Sequence, residues 1–101
     1  MTYKNYLKQG KVTIFSKSYC PFCVKIKDFF TQMDIPFTSY EYDLKQIPDS
    51  VISDMQKDTN FYTFPSIFIG EAHVKGYTDV MKLVKSNQIA SIFEKENIKY
   101  Q

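Results

Sequence analysis

Lys17-Ser18-Tyr19-Cys20-Pro21-Phe22-Cys23 holds both cysteines of the chain, two residues apart. It lies between an apolar run, Val12-Thr13-Ile14-Phe15, and an amphipathic segment that begins at Pro21. A strand that stops at a Cys-x-x-Cys turn and restarts as a helix points to dithiol redox chemistry on a βα unit. Proline has a fixed φ and no N–H, so Pro21 suits the first helical position, leaving Cys20 at the N-cap and Cys23 within the first turn. The unpaired amides and the positive end of the helix dipole then face the Cys20 sulfur and favour its anion, the nucleophilic form. Lys17 adds a positive charge nearby. Cys20 is therefore the expected attacker, and Cys23, closer to the helix body and less exposed, the resolving thiol.

Outward from this turn, residues 11–16 read as a strand that is apolar on both faces and so central. Cys23, Ile26, Phe29, Phe30 and Met33 recur at helical spacing over residues 21–33, with Lys25, Lys27, Asp28 and Gln32 on the other side. Asp34-Ile35-Pro36 breaks this helix, and residues 37–42 form a second strand, which implies a right-handed parallel crossover. Ile47-Pro48, with Asp49 and Ser50 in the first turn, starts a helix that runs to about residue 57, with Val51, Ile52 and Met55 inward. Residues 66–70 and 73–75 can pair as a hairpin across Gly70-Glu71-Ala72. Beyond Gly76 the chain reads as two short helices broken near Ser86-Asn87, with Val80, Leu83, Val84, Ile89, Ile92 and Phe93 inward. At the other end Tyr3, Tyr6 and Leu7 are spaced for one face of a short packing helix that Gly10 can end. His73, the one histidine, reads as an exposed hairpin residue, because thiol exchange from an ionised Cys20 needs no separate base.

The 101 residues carry no linker or composition shift, so one domain over residues 1–101 is expected, and 44% hydrophobic residues suffice for its core. All thirteen basic residues are lysines against eleven acidic ones, scattered along the chain. Without arginine or a clustered basic footprint, nucleic-acid binding is not expected. Any anionic ligand must be held by lysine point charges, backbone amides and helix starts. Two cysteines are too few for a disulfide scaffold. No apolar run approaches the ~20 residues that cross a bilayer, and residues 1–5 show no basic-then-apolar leader. A soluble, cytoplasmic protein with no membrane partner is the expectation.

Cys20-Pro21-Phe22-Cys23, Thr63-Phe64-Pro65 and Gly76-Tyr77-Thr78-Asp79 resemble, in order, the three signature segments of dithiol glutaredoxins, and the similarity runs from about residue 10 to the C-terminal helices. The resemblance implies an α/β, thioredoxin-like fold: a four-stranded mixed sheet of two parallel strands plus a C-terminal β-hairpin, flanked by helices on both faces. It implies a glutathione-dependent oxidoreductase, a monomer with no tightly bound cofactor and no metal, that takes glutathione as co-substrate. Its clients would be disulfide-containing or glutathionylated proteins, ribonucleotide reductase being one the family suggests. From pattern alone Pro65 starts a strand in trans, since only ~5–6% of X–Pro bonds in folded proteins are cis. The resemblance instead implies a cis Pro65 beside the dithiol, with the Phe64 backbone holding the cysteinyl part of glutathione as a strand edge would. Tyr77, Thr78 and Asp79 would hold the γ-glutamyl end, the carboxylate on helix amides and the ammonium on Asp79, with Thr78 a fitting N-cap. Lys17 would meet the glycyl carboxylate and Tyr19 would flank the mixed disulfide.

Three positions depart from the family pattern. Phe64 stands where valine is usual, and would narrow the groove. Lys75 replaces the first glycine of a Gly-Gly pair, and Tyr62 stands where a basic or polar residue often precedes the Thr-x-Pro turn, leaving Lys75 to supply the charge that Tyr62 does not. Two other readings stay open on the residues. One is a thioredoxin-like reductase recycled by a flavoprotein reductase, opposed by the absence of Trp-Cys-Gly-Pro-Cys and of any tryptophan. The other is a metal or iron–sulfur module with Cys20 as a ligand across a dimer, opposed by Pro21 and by too few ligands in one chain.

Overall fold

Alternation along two short strands sets the layers. The computed structural model, which describes residues 2–100, orders its sheet β2-β1-β3-β4, with β1 at Val12–Ser16, β2 at Phe37–Glu41, β3 at Ser66–Ile69 and β4 at Ala72–Lys75. β1 pairs parallel with β2, Val12 opposite Phe37, and antiparallel with β3, which pairs antiparallel with β4. Since side chains alternate across a strand, Val12 and Ile14 of β1 and Ile67 and Ile69 of β3 fill one side while Phe15 and Phe68 fill the other. On the first side lie α1 (Pro21–Gln32), α3 (Tyr77–Lys85) and α4 (Ile89–Lys95), through Ile26, Phe30, Val80, Ile89 and Phe93. The second side is covered by α2 (Asp49–Thr59), through Val51, Ile52 and Met55, and by the N-terminal Tyr3 and Leu7. The expected mixed sheet with helices on both faces is thus formed, and β1 is buried throughout.

Four local details differ from the sequence reading. The N-terminal helix is a single 3-10 turn, Tyr3–Tyr6, that ends at Leu7; Gly10, at φ 75°, belongs instead to the turn that feeds β1. β2 stops at Glu41 because Tyr42–Leu44 winds into a 3-10 turn closed by Lys45 in the left-handed region. α2 begins after Pro48, which serves as its cap, and continues two residues further than expected, to Thr59. Leu83, Val84 and Ile92 are only partly buried, at the margin of the core. Among the described residues no helix is long and apolar enough to cross a membrane.

Candidate active site

Cys20 caps α1 as the sequence demands. Its backbone is extended, Pro21 occupies the first helical position, and its carbonyl accepts the Val24 N–H at 3.1 Å. The Cys20 N–H donates to the Lys17 carbonyl at 3.1 Å, closing the turn between β1 and α1. Both cysteines are free thiols, Cys20 half-buried and Cys23 wholly buried. Burial pushes the Cys23 thiol up, and the neighbouring Cys20 adds to that; hydrogen bonds from the Lys17 backbone and the Ser16 hydroxyl oppose it without cancelling it.

The turn is tethered from across the sheet by a residue that sequence reading missed. Asp43, in the 3-10 turn after β2, accepts the Ser18 N–H at 2.8 Å and also the Ser18 hydroxyl. These two donors hold the Asp43 carboxyl below its ordinary range, with the Lys17 charge adding to them. Asp43 is 25 residues from Ser18, and no local pattern announces such a contact.

Pro65 follows a cis peptide bond, as the resemblance implied and contrary to the pattern-only reading. The turn brings the Phe64 carbonyl to the dithiol, where it accepts the Cys20 S–H at 3.7 Å. Two hollows meet at Thr63 and Phe64. One, of about 380 Å³, contains Cys20, Lys17, Tyr19 and Tyr62; the other, of about 420 Å³, contains Pro65, Gly76, Tyr77, Thr78 and Asp79. All nine expected site residues except the buried Cys23 therefore line one or other of these two adjoining hollows. Phe64 does not simply narrow the groove: its ring lies parallel to Tyr42, at 5.8 Å and 10°, and under the Lys17 ammonium at 4.8 Å. Phe22, also missed as a site residue, stacks on Tyr77 at 5.7 Å, with the Lys25 ammonium 5.3 Å from its ring. Its place on an exposed turn between two cysteines was the available signal.

The expected cap at Thr78 is corrected. Gly76 is the N-cap of α3, and Thr78 sits exposed in the first turn. A glycine has no capping side chain, so Asp79 reaches back and accepts the Gly76 N–H at 3.2 Å. A Cβ here would lie 3.3 Å from the Phe61 ring, which would have to give by a few tenths of an ångström, and in ordinary contact with the Pro65 carbonyl at 3.5 Å. Lys75 is displaced from its expected role as well. At φ 68° it borders a separate groove of about 450 Å³ beyond Asp79, between β4 and α3, and not the cysteine hollow. His73 is not an exposed hairpin residue. It hydrogen-bonds Ser66 Oγ at 2.9 Å and packs between the Phe61 and Phe68 rings, and burial pulls its pKa down. Among the described residues no group of three or more His, Cys, Asp or Glu is placed to hold a metal ion.

A sequence model of the glutaredoxin family matches residues 12–74. Glutaredoxin-2 of Schizosaccharomyces pombe is 32% identical, the match covering 90% of this chain and 84% of the relative. A crystal structure of wheat glutaredoxin is 33% identical and superposes with a TM-score of 0.81 over 92% of this chain and 88% of that one. A buckwheat glutaredoxin–glutathione complex is 26% identical, with a TM-score of 0.76 over 85% of this chain and 78% of that one.

Proposed function

The chain belongs to the glutaredoxin family of thiol oxidoreductases, and from that premise we propose that it uses Cys20 and Cys23 with glutathione to reduce protein disulfides and glutathione mixed disulfides. The Cys20 thiolate attacks a disulfide sulfur; a Cys20 mixed disulfide forms as the S–S bond breaks, and the leaving thiolate takes a proton from solvent. Cys23 or a glutathione thiolate then attacks that mixed disulfide. Two glutathione molecules return the oxidised dithiol to its reduced form and leave as glutathione disulfide.

The observation that carries this reading is the pair of adjoining hollows that lead from Cys20, past Phe64, to the start of α3. Their length and chemistry suit an extended tripeptide thiol. The Phe64 main chain pairs with the cysteinyl residue as a strand edge pairs with a peptide. First-turn amides of α3 at Tyr77, Thr78 and Asp79 face the γ-glutamyl carboxylate, and the Asp79 carboxylate faces its ammonium. Lys17, already beside Phe64, meets the glycyl carboxylate, and Tyr19 shields the mixed disulfide from the solvent side. That a similar buckwheat glutaredoxin forms a complex with glutathione supports glutathione as the ligand.

A glutathione-coupled turnover assay on a small glutathione mixed disulfide tests it. Cys23→Ser should retain turnover, Cys20→Ser should have none, and Asp79→Ala should raise KM for glutathione. Activity in Cys20→Ser, or its absence in both wild type and Cys23→Ser, overturns the proposal.

A further inference from the structure

One short turn reaches both chain segments that frame the hollow containing Cys20. From the 3-10 turn Tyr42–Leu44, Asp43 accepts the Ser18 N–H and hydroxyl in the segment before Cys20. Its neighbour Tyr42 meets the segment before Pro65, where its ring lies nearly parallel to that of Phe64, the centroids 5.8 Å apart. Phe64 in turn faces two ways: its carbonyl accepts the Cys20 S–H at 3.7 Å, and its ring lies 4.8 Å from the Lys17 ammonium. Tyr42 is half-buried and is not among the residues that line either hollow, and the scheme above gives it no part.

A lysine carries its charge on a flexible four-carbon stem, and a carboxylate that binds it has to gather that charge from many rotamers. The face of an aromatic ring attracts an ammonium, so Phe64 gathers Lys17 beforehand. That attraction depends on how the ring is turned, and stacking against Tyr42 sets its plane. The ring occupies one side of the ammonium and leaves N–H donors for an anion. Asp43 lies near enough for its carboxylate to feel the Lys17 charge, yet the two Ser18 donors already occupy it. We propose that Tyr42 is a positioning residue for the anionic end of the thiol substrate: by fixing the Phe64 ring it holds the Lys17 ammonium at the Cys20 hollow, so that a substrate with a free terminal carboxylate is preferred. The inference rests on the reading above in taking glutathione as that substrate and Lys17 as the partner of its glycyl carboxylate.

The test follows by mass spectrometry the rate at which the reduced Cys23→Ser protein takes one glutathionyl group on Cys20, a glutathione thiolate leaving. The probes are glutathione disulfide and the same disulfide with both glycyl carboxylates methylated. Adding Tyr42→Leu should slow the reaction with glutathione disulfide roughly 2- to 5-fold, the worth of an exposed cation–π contact, and leave the rate with the ester unchanged. Tyr42→Phe, which keeps the ring, should react like the parent with both probes. In a Lys17→Met background the preference for the free carboxylate should vanish, and Tyr42→Leu should then change nothing further. Equal slowing with both probes, slowing that persists without Lys17, no slowing with glutathione disulfide, or a parent that does not distinguish the probes overturns the proposal. Failure of the glutathione reading looks different: Cys20 of the parent stays unmodified by either probe, and both inferences fall together.

Discussion

Replacing Lys27 by methionine keeps an apolar stem and removes the one ion-pair partner of Glu41 among the described residues. At 2.7 Å the gross attraction is on the order of 6 kcal/mol for an effective dielectric of about 20, and dehydration of both ions offsets most of it. The net loss should be that of a hydrogen bond to a charged group, ~1.5–3 kcal/mol. For a domain of this size that lowers Tm by roughly 6–20 °C. The sign of its pH dependence follows from Glu41. Burial would raise that carboxyl, but Lys27 and the Ser16 and Ser39 hydroxyls outweigh it, leaving the group below its ordinary value of 4.5. A depressed carboxyl contributes stability above its unfolded pKa and loses it as pH falls through the folded one. Without Lys27 burial dominates, so the variant's Glu41 takes up a proton sooner on acidification and no longer sits there as an unpaired charge. The variant's deficit should therefore be largest at neutral pH and shrink toward ~pH 4. Urea unfolding followed by far-ultraviolet circular dichroism at both pH values measures it, since the chain has no tryptophan. A deficit below ~0.5 kcal/mol at neutral pH, the size of an ordinary surface change, or one equal at both pH values, refutes the reasoning.

Asp79→Ala removes the acceptor of the Gly76 N–H and should cost ~0.5–2 kcal/mol; Asp79→Asn should recover stability in the same unfolding assay but not the KM for glutathione. Lys75→Gly should raise stability by about 1 kcal/mol, because a lysine at φ 68° carries a left-handed penalty that glycine lacks; an unchanged or lower Tm would mean that its side chain compensates. His73, whose pKa lies below the ordinary 6.5 through burial, contributes stability that is present above ~6.5 and lost as pH falls through its folded value. His73→Gln should flatten that part of the stability curve; a curve of unchanged slope would count against the buried placement.

The elements legible in the sequence were those decided within one turn or one alternation. Pro21 after Cys20 fixes the start of α1 because a ring and a missing N–H act locally. The apolar runs of β1 and β3 announced buried strands for the same reason. What escaped was decided at a distance or by a single residue. Asp43 reaches Ser18 only after the β2–β1 register is set. Thr78 and Gly76 compete for one cap, and the winner depends on Asp79 reaching back and on the space beside Phe61 and Pro65. His73 looked exposed because β4 is an edge strand, yet Phe61 and Phe68 close over its ring. Ser16, Lys27 and Glu41 come from three elements, and none is unusual where it stands in the sequence.

The central claim, that the sulfur at the start of α1 is the one that receives glutathione, is tested most directly by mass spectrometry of the reduced protein after brief exposure to glutathione disulfide at neutral pH. Cys23→Ser should gain a single glutathione, mapped to Cys20, while Cys20→Ser stays unmodified over the same time. An adduct that forms on Cys23 at a comparable rate, or a Cys23→Ser protein that takes up none, would contradict the account.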